Sequence, residues 1–233
     1  MKAYEALWEE YDKLTDSSAD KKRMKEVLGS LKKAPKKTGV DVGAGTGIST
    51  IAIKEAGYDV SGTDVSAKML SVAYFTSGGE IPFYKQSAEG LTGFKNLGFV
   101  TAVNDVVNYL TPEKATKFFG KAYRSLANGG VLVFDVSSPY KYENVLDKNV
   151  FCDASEDVSY IWFNTLKDGR MTMDLTFFKL ADDGSYIRED ERHVQYVYQK
   201  DFLENSLEAA GFKVVSVKEI ENGERFIFTA KKP

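Results

Sequence analysis

The chain has 233 residues, of which 43% are hydrophobic and 28% charged, a composition typical of a globular protein with a sizeable core. Its formal net charge of -3 argues against a nucleic-acid-binding surface, which is usually basic. The single cysteine, Cys152, excludes an internal disulfide and a multi-cysteine metal site, and we expect no metal.

The first predicted element is a helix within residues 1–33. Apolar side chains recur there at spacings of three and four residues, which places them in one stripe: Tyr4, Leu7, Trp8, Tyr11 and Leu14. The segment lacks the basic start and apolar middle of a signal peptide, and no apolar run in the chain is long enough to span a bilayer. We therefore expect a cytoplasmic protein without membrane contact.

Predicted strands and helices then alternate as far as residue 136. The strands are short apolar runs at 38–43, 58–64, 81–87, 99–105 and 129–136. The predicted helices lie at 46–56, 66–77 and 111–127. Ser66 and Thr111 are the expected N-caps of the second and third of these helices, and Pro112 suits a first helical turn. Such alternation implies a parallel sheet with right-handed crossovers.

The pattern changes after the fifth predicted strand. Three β-rich runs follow, at 158–166, 170–180 and 185–198, with the turn sequences KDG and ADDG between them. A helix at 200–211 and two strands at 212–220 and 225–232 complete the predicted elements. We therefore predict an antiparallel three-stranded β insertion within an α/β protein.

A glycine-rich turn, DVGAGTG at 41–47, joins the first strand of the alternating region to its helix. Glycine lets the backbone approach a ligand closely, and a helix N-terminus favours an electron-rich group. Asp64, at the end of the second strand, can accept hydrogen bonds from both hydroxyls of a ribose. These features favour an adenosine-containing cofactor. The G-x-G-x-G spacing differs from the dinucleotide fingerprint, and no Walker lysine follows it.

This set of motifs resembles the class I S-adenosylmethionine-dependent methyltransferases, whose first motif is acidic-x-G-x-G-x-G. Other segments are also similar to that family: DVSAKML, AVNDVVNYL, LANGGVLVFDV and the terminal strand pair. The resemblance therefore covers nearly the whole chain. It implies a Rossmann-like, doubly wound, seven-stranded, mostly parallel sheet with a reversed final strand. We assign residues 1–140 and 199–233 to this cofactor-binding domain, and 141–198 to the β insertion, as a cover for the substrate.

The resemblance implies S-adenosyl-L-methionine as cofactor and S-adenosyl-L-homocysteine as product. Asp64 is expected to hold the ribose, and Asn104 and Asp105 to lie near the methionine end. Ser87 stands where many family members have an aspartate for the adenine amino group, so that contact is weaker here or is supplied by a water. Met69 could contact the adenine or simply pack in the core. The predicted cofactor residues are Asp41, Gly43, Ala44, Gly45, Asp64, Val65, Met69, Ser87, Ala88, Asn104 and Asp105.

Three residues are candidates for catalysis, because methyl transfer requires an aligned nucleophile and, for some acceptors, the removal of a proton. Tyr11 lies on the N-terminal helix, which covers the cofactor in the resembling enzymes. His193 is the only histidine, and alternation places it with Glu191 and Gln195 on one face of a strand. Asp105 could orient the cofactor or an amine. Each has a simpler explanation: Tyr11 could be a core aromatic, His193 could lie on a solvent-facing sheet surface, and Asp105 could cap a helix or turn.

The β insertion is similar to one that covers the acceptor in sugar-amine N-methyltransferases and glycine N-methyltransferase. Aromatic residues there could line a pocket or fill an inter-sheet core: Tyr140, Tyr142, Trp162, Phe163 and Phe178. Adenine and glutamine N-methyltransferases have an asparagine-proline-proline-aromatic motif after the fourth strand. This chain has NDVV there, which argues against an adenine or glutamine acceptor. We predict in-line methyl transfer to a nitrogen or oxygen of a small polar molecule, by a monomer or homodimer.

Two alternative functions remain open from the sequence. An RNA methyltransferase would draw on the basic run at 21–37, which otherwise is a solvated helix face and loop. A non-catalytic S-adenosylmethionine-binding module would keep the fold and the cofactor without turnover. A dehydrogenase is disfavoured by the glycine spacing.

Overall fold

The computed structural model describes residues 17–154 and 158–233. Tyr11, one of the three predicted catalytic residues, and the first part of the predicted N-terminal helix lie outside these ranges. The described part of that helix, α1, spans Ser17–Leu31. No helix in the described ranges is both long and apolar enough to cross a membrane.

Seven strands form the main sheet, in the order β10-β11-β5-β4-β1-β2-β3. Strand β11 pairs antiparallel with both of its neighbours, β5 and β10, whereas the strands from β5 to β3 pair parallel to one another. The predicted seven-stranded sheet with a reversed final strand is confirmed. Its strands are β1 (Thr38–Val42), β2 (Asp59–Asp64), β3 (Phe83–Lys85), β4 (Leu97–Ala102), β5 (Leu126–Ser137), β10 (Lys213–Ile220) and β11 (Arg225–Lys231).

Helices cover both faces of this sheet. They are, after α1, α2 (Ile48–Glu55), α3 (Ala67–Thr76), α4 (Pro112–Ser125) and α5 (Lys200–Ala209). One apolar core lies beneath α4 and α5, and a second lies beneath α1 and α2. Strand β5 contributes Leu132 and Phe134 to the first core and Val131 and Val133 to the second, which explains its continuous apolar sequence.

Two of the predicted helix starts are confirmed by their capping bonds. The hydroxyl of Ser66 accepts a hydrogen bond from the Met69 backbone N–H, at 3.3 Å, at the start of α3. The hydroxyl of Thr111 accepts one from the Lys114 backbone N–H, also at 3.3 Å, and Pro112 begins α4. Each cap satisfies one of the N–H groups that a helix terminus leaves without an intrahelical partner.

The insertion contains a second sheet, and the prediction of three strands for it was wrong. Four antiparallel strands occur, in the order β6-β7-β8-β9. They are β6 (Val150–Ala154), β7 (Val158–Lys167), β8 (Arg170–Leu180) and β9 (Tyr186–Tyr196). The strand that the sequence did not predict is β6, a short edge strand. Most of its side chains are exposed, so it lacks the alternation of apolar and polar residues that predicts a half-buried strand.

Candidate active site

The loop between β1 and α2 follows a left-handed path through its glycines. Gly43, Gly45 and Gly47 have φ of 72°, 55° and 91°, a region that residues with a Cβ rarely adopt. A Cβ built on Gly43 would lie 2.3 Å from a methyl carbon of Val106. The Gly43 backbone N–H donates to the Thr63 carbonyl oxygen at 2.7 Å. The loop is therefore hydrogen-bonded to β2, and at its three glycines no side chain covers the backbone.

We expect Gly43→Ala to destabilise the protein by more than about 1 kcal/mol, because alanine is strained at positive φ and its methyl group would displace Val106. Gly29→Ala is the matched control, since a Cβ on this exposed residue of α1 would meet nothing within 4 Å. That change should stabilise α1 by roughly 0.5–1 kcal/mol. Urea unfolding measures both; a midpoint for Gly43→Ala at or above the unmodified protein's would contradict the assignment.

Asp64 lies at the carboxyl end of β2, beside the glycine loop. Its Oδ2 accepts from the Gly45 backbone N–H at 3.0 Å, and its Oδ1 accepts from the Ser66 backbone N–H at 2.8 Å. Burial raises the pKa of this carboxyl, because the opposing backbone hydrogen bonds do not fully offset the loss of water. A carboxylate oxygen can accept more than one hydrogen bond, so Asp64 retains capacity to accept from a ligand.

Asp41 is buried beneath the same loop. Its carboxylate accepts hydrogen bonds from the hydroxyls of Ser49, Thr50 and Thr101, each at 2.7 Å. Burial raises the pKa of this carboxyl, although the three hydroxyls oppose the shift. The side chain has no exposed surface and joins β1 to α2 and β4. We propose that Asp41 supports the glycine loop and does not itself contact the cofactor.

The predicted adenine-side residues lie after β2 and β3. Met69 is buried, and its sulfur lies 3.7 Å from the Cβ position built on Gly45, so it packs directly against the loop. Val65 is 63% exposed, which leaves it available to a ligand. Ser87 is half-buried, and Ala88 belongs to the apolar core beneath α4 and α5. Their contact with an adenine stays a prediction.

Asn104 and Asp105 follow β4 and adopt the left-handed conformation, with φ of 63° and 64°. Asparagine and aspartate tolerate this conformation better than most residues. The Asp105 carboxylate accepts from Arg225 Nη1 at 2.8 Å and from Arg225 Nη2 at 2.9 Å. Burial would raise the pKa of Asp105, but the Arg225 guanidinium outweighs it and holds the pKa well below the ordinary range. A carboxylate with a lowered pKa is a weak base, which argues against Asp105 as a general base.

Arg225 is the centre of a buried ion network that the sequence analysis missed. Besides Asp105, its guanidinium donates to the buried carboxylate of Asp135 and to Glu221, the latter at 3.2 Å. Asp135 lies in the apolar sequence VLVFDVS of β5. A charged residue inside a strand that is buried on both faces indicates a buried ion pair, and this was the available sequence signal.

Arg23 of α1 extends this network to the end of β4. Its guanidinium pairs with Glu221 at 3.0 Å and with Asp20 at 2.8 Å, and Nη1 donates to the Asn104 side-chain oxygen. The contact places a cation beside one of the two residues predicted to lie near the methionine end of the cofactor. Sequence pattern could not single out this contact, because Arg23 is one of many basic residues in that region.

The polar face of β9 is buried, so the solvent-facing explanation for His193 was wrong. Glu191, His193 and Gln195 are only 3%, 4% and 6% exposed. His193 Nδ1 lies 2.9 Å from the Tyr109 hydroxyl oxygen, and His193 Nε2 lies 3.0 Å from Glu191 Oε1. The hydroxyl of Tyr142 donates to Gln195 Oε1 at 2.8 Å.

The turn after β4 holds this face of β9 against the main sheet. The side-chain amide of Asn108 donates to the Tyr196 carbonyl oxygen at 3.0 Å, and its oxygen accepts from the Ser137 backbone N–H at 3.0 Å. Asn108 is fully buried. The turn therefore brings Tyr109 and His193 together, and sequence periodicity could not predict this because the two residues are far apart in the chain.

The five aromatic residues considered above as a possible pocket lining do not form one surface. Tyr142 and Trp162 contribute to an apolar cluster between β7, β8 and the π-helical turn Lys141–Leu146. Tyr140 and Phe163 are each about half exposed, at 52% and 51%. Phe178 is half-buried. A pocket lined by all five is therefore not formed.

A cleft of about 830 Å³ lies between α1 and α2 and reaches Asn104. Its lining contains neither Gly45 nor Asp64, which are predicted to lie beside the ribose. We propose that the cofactor binds at the glycine loop, because the convergent donors and acceptors lie there, at the carboxyl ends of β1, β2 and β4.

Comparisons with known proteins identify the family of the chain. Residues 40–130 match a family described as a methyltransferase domain. A protein of Geobacillus sp. (strain WCH70), named as a candidate methyltransferase, is 33% identical over 98% of this chain and 99% of its own length. The chain belongs to the class I S-adenosylmethionine-dependent methyltransferases. The glycine loop and Asp64 predict S-adenosylmethionine as the cofactor of this methyltransferase, and the solved methyltransferases with its fold include S-adenosylmethionine-dependent enzymes.

Solved structures of other methyltransferases share its fold. An S-adenosylmethionine-dependent methyltransferase from Clostridium acetobutylicum ATCC 824 superposes with a TM-score of 0.84, at 24% identity over 99% of both chains. CalS10, an amino pentose methyltransferase from Micromonospora echinaspora solved with S-adenosylmethionine bound, gives a TM-score of 0.77 at 19% identity, over 100% of this methyltransferase and 98% of that chain.

Proposed function

We propose that this methyltransferase transfers the methyl group to a nitrogen or oxygen of a small polar molecule, under the cover of the β insertion. The observation that carries the proposal is the buried polar face of β9, where His193 lies between Tyr109 and Glu191. An enclosed face with paired polar groups suits a small polar acceptor, whereas a nucleic acid requires an open basic surface.

The cofactor site fits S-adenosylmethionine through residues already described. The Asp64 carboxylate would accept from the ribose hydroxyls, and the backbone of Gly43, Ala44 and Gly45 would pack beneath the ribose and methionine. Asn104, with Arg23 beside it, would face the methionine end. S-adenosylmethionine supplies a methyl group that is activated by a positively charged sulfur. The protein's contribution is to align the acceptor, exclude water and receive a proton.

The solved relatives support a small acceptor without identifying it. CalS10 is described as an amino pentose methyltransferase, and KedS8 from Streptoalloteichus sp ATCC 53650 as a sugar N-methyltransferase. Both share the fold at less than 20% identity. We extend from them only the class of acceptor, a polar small molecule with an amine or hydroxyl.

The first test is calorimetric titration with S-adenosylmethionine and, separately, with S-adenosylhomocysteine. Micromolar binding is expected. Formation of S-adenosylhomocysteine is then measured with a panel of amino sugars, amino acids, amines and alcohols, and with RNA oligonucleotides. Turnover on a small amine or hydroxyl compound supports the proposal. Turnover on RNA alone would favour the RNA methyltransferase, and cofactor binding with no turnover on any acceptor would favour the non-catalytic module.

Cofactor affinity should depend on pH through Asp64. Burial raises the pKa of this carboxyl above its ordinary value, and ribose hydroxyls bind the ionised form. Affinity for S-adenosylhomocysteine is therefore highest above that raised pKa, and should fall by up to about tenfold per pH unit as the pH drops below it. Asp64→Asn cannot ionise and should bind weakly with little pH dependence. An equally steep pH dependence in Asp64→Asn would assign the effect to another group.

A further inference from the structure

We propose that Tyr109 contacts the methyl acceptor and passes the acceptor's proton to His193, with Glu191 as the residue that positions the imidazole. The proposal rests on the proposed function and extends it, because it assigns the group that receives the proton. It is carried by the line of contacts from the Tyr109 hydroxyl through both ring nitrogens of His193 to the Glu191 carboxylate.

The position of Tyr109 is set by the sheet. The short turn Val107–Tyr109 follows the carboxyl end of β4, and β4 lies next to β1, whose loop carries the glycines. Ligands of open α/β sheets bind outside the carboxyl ends of the strands where the strand order reverses, which here is between β1 and β4. Tyr109 is half-buried, whereas His193 and Glu191 are buried behind it. Of the three residues, Tyr109 is therefore the one that an acceptor can reach.

The contacts of His193 with Tyr109 and Glu191 indicate which ring nitrogen carries the proton. A carboxylate oxygen 3.0 Å from Nε2 would repel a lone pair on that nitrogen, so a neutral His193 carries its proton on Nε2. Its Nδ1 lone pair then faces the Tyr109 hydroxyl at 2.9 Å and accepts a hydrogen bond from it. A phenolic oxygen has acceptor lone pairs as well as its proton, so the Tyr109 oxygen can accept a hydrogen bond from an acceptor N–H or O–H while its proton is donated to Nδ1.

The proton balance is complete within these residues and the acceptor. As the acceptor nitrogen or oxygen forms its bond to the methyl carbon, the electrons of the carbon–sulfur bond remain on sulfur. The acceptor's proton moves to the Tyr109 oxygen, while the Tyr109 hydroxyl proton moves to His193 Nδ1. The resulting imidazolium lies beside the Glu191 carboxylate, which compensates its charge in a buried place. Tyr109 is neutral before and after the transfer.

Binding of sinefungin tests the contact without a known acceptor. In this analogue of S-adenosylmethionine, a carbon bearing an ammonium group replaces the methylsulfonium, so its N–H groups point towards the place of the acceptor. The Tyr109 oxygen should accept from this ammonium. We expect Tyr109→Phe to weaken sinefungin about tenfold or more, the scale of a hydrogen bond to a charged group, and to leave S-adenosylhomocysteine affinity unchanged.

Tyr198→Phe is the matched control. The Tyr198 hydroxyl also bonds near the turn after β4, to the Leu110 carbonyl oxygen, but it is buried in the core beneath α4 and α5. Tyr198→Phe should show the same ratio of sinefungin affinity to S-adenosylhomocysteine affinity as the unmodified protein. If Tyr109→Phe weakened both ligands equally, Tyr109 would be a structural residue and the proposal would be overturned. Unchanged affinities for both ligands in Tyr109→Phe would overturn it as well.

Nitrogen-15 spectroscopy of the single histidine provides a second readout. Long-range proton–nitrogen spectra of the neutral ring should show the proton on Nε2 and an unprotonated Nδ1. The Nδ1 signal should move in Tyr109→Phe and stay in place in Tyr198→Phe. A neutral ring with its proton on Nδ1 would overturn the relay. If the unmodified protein bound neither S-adenosylmethionine nor S-adenosylhomocysteine, the proposed function itself would fail, which separates the two conclusions.

Discussion

Asp64→Ala is expected to weaken S-adenosylhomocysteine binding by roughly 1.5–3 kcal/mol, the usual contribution of hydrogen bonds to a charged group. The carboxylate is fixed by the backbone N–H groups of Gly45 and Ser66, at 3.0 and 2.8 Å, so it faces the ligand in one orientation. Alanine removes the ribose acceptor and releases the Gly45 end of the loop. Isothermal calorimetry at neutral pH measures the loss directly.

Asp59→Ala is the control for this measurement, because Asp59 is an exposed aspartate at the opposite end of the same strand, β2. Its removal changes the net charge equally and should leave affinity unchanged. Thermal unfolding of both variants without ligand separates a binding defect from a folding defect. If Asp64→Ala bound S-adenosylhomocysteine as tightly as Asp59→Ala did, the ribose site would have to be placed elsewhere.

Arg225→Met is expected to destabilise the protein by about 3–5 kcal/mol, the cost of breaking a buried ion pair from one side. The change leaves the carboxylates of Asp105 and Asp135 without their shared guanidinium. The lowered pKa of Asp105 means that its ionised form stabilises the fold above the unfolded carboxyl's pKa, and that this stability is lost as the pH falls towards the folded-state value. The penalty in Arg225→Met should therefore shrink in acid.

Arg192→Met is the control for this second variant. Arg192 pairs with Asp174 at 2.5 Å on the outer face of the insertion sheet, where both side chains are largely exposed. Surface pairs of this kind contribute little, so we expect no clear change in urea unfolding. The double variant Arg225→Met, Asp135→Leu should recover part of the lost stability, because it removes one of the uncompensated charges. Equal stabilities of Arg225→Met and Arg192→Met would show that the network is not energetically important.

The sequence was sufficient for the parts of the fold that depend on local pattern. Strand and helix alternation, the caps at Ser66 and Thr111, and the glycine turn before α2 are each encoded within a few residues. The position of Asp64 could be predicted for the same reason, since it ends a recognisable strand. The edge strand β6 was missed because its exposed side chains carry no periodic pattern.

The remaining parts of the site depend on contacts between distant segments. Period-two alternation places Glu191, His193 and Gln195 on one face of β9, but it does not say whether that face is buried. The network around Arg225 joins α1, the ends of β4 and β5, and the start of β11. No window of sequence contains those elements together. Periodicity therefore could not disclose that Asp105 is paired with Arg225.

The residues predicted for the cofactor and those predicted for the acceptor come from separate stretches of the chain, so the acceptor preference could be changed without changing cofactor binding. The residues predicted to contact the cofactor lie within 43–105, whereas the buried polar face of β9 comes from residues that follow β5. The turn at Asn108 and Tyr109 joins the two groups through bonds to the Tyr196 backbone and to His193. Replacing residues 141–198 with those of a relative, while keeping Asn108 and Tyr109, should thus give a hybrid enzyme with the original cofactor affinity and a new acceptor preference. If the proposed function holds, methyl-donor binding and acceptor choice would depend on separate segments of the chain and could be altered independently.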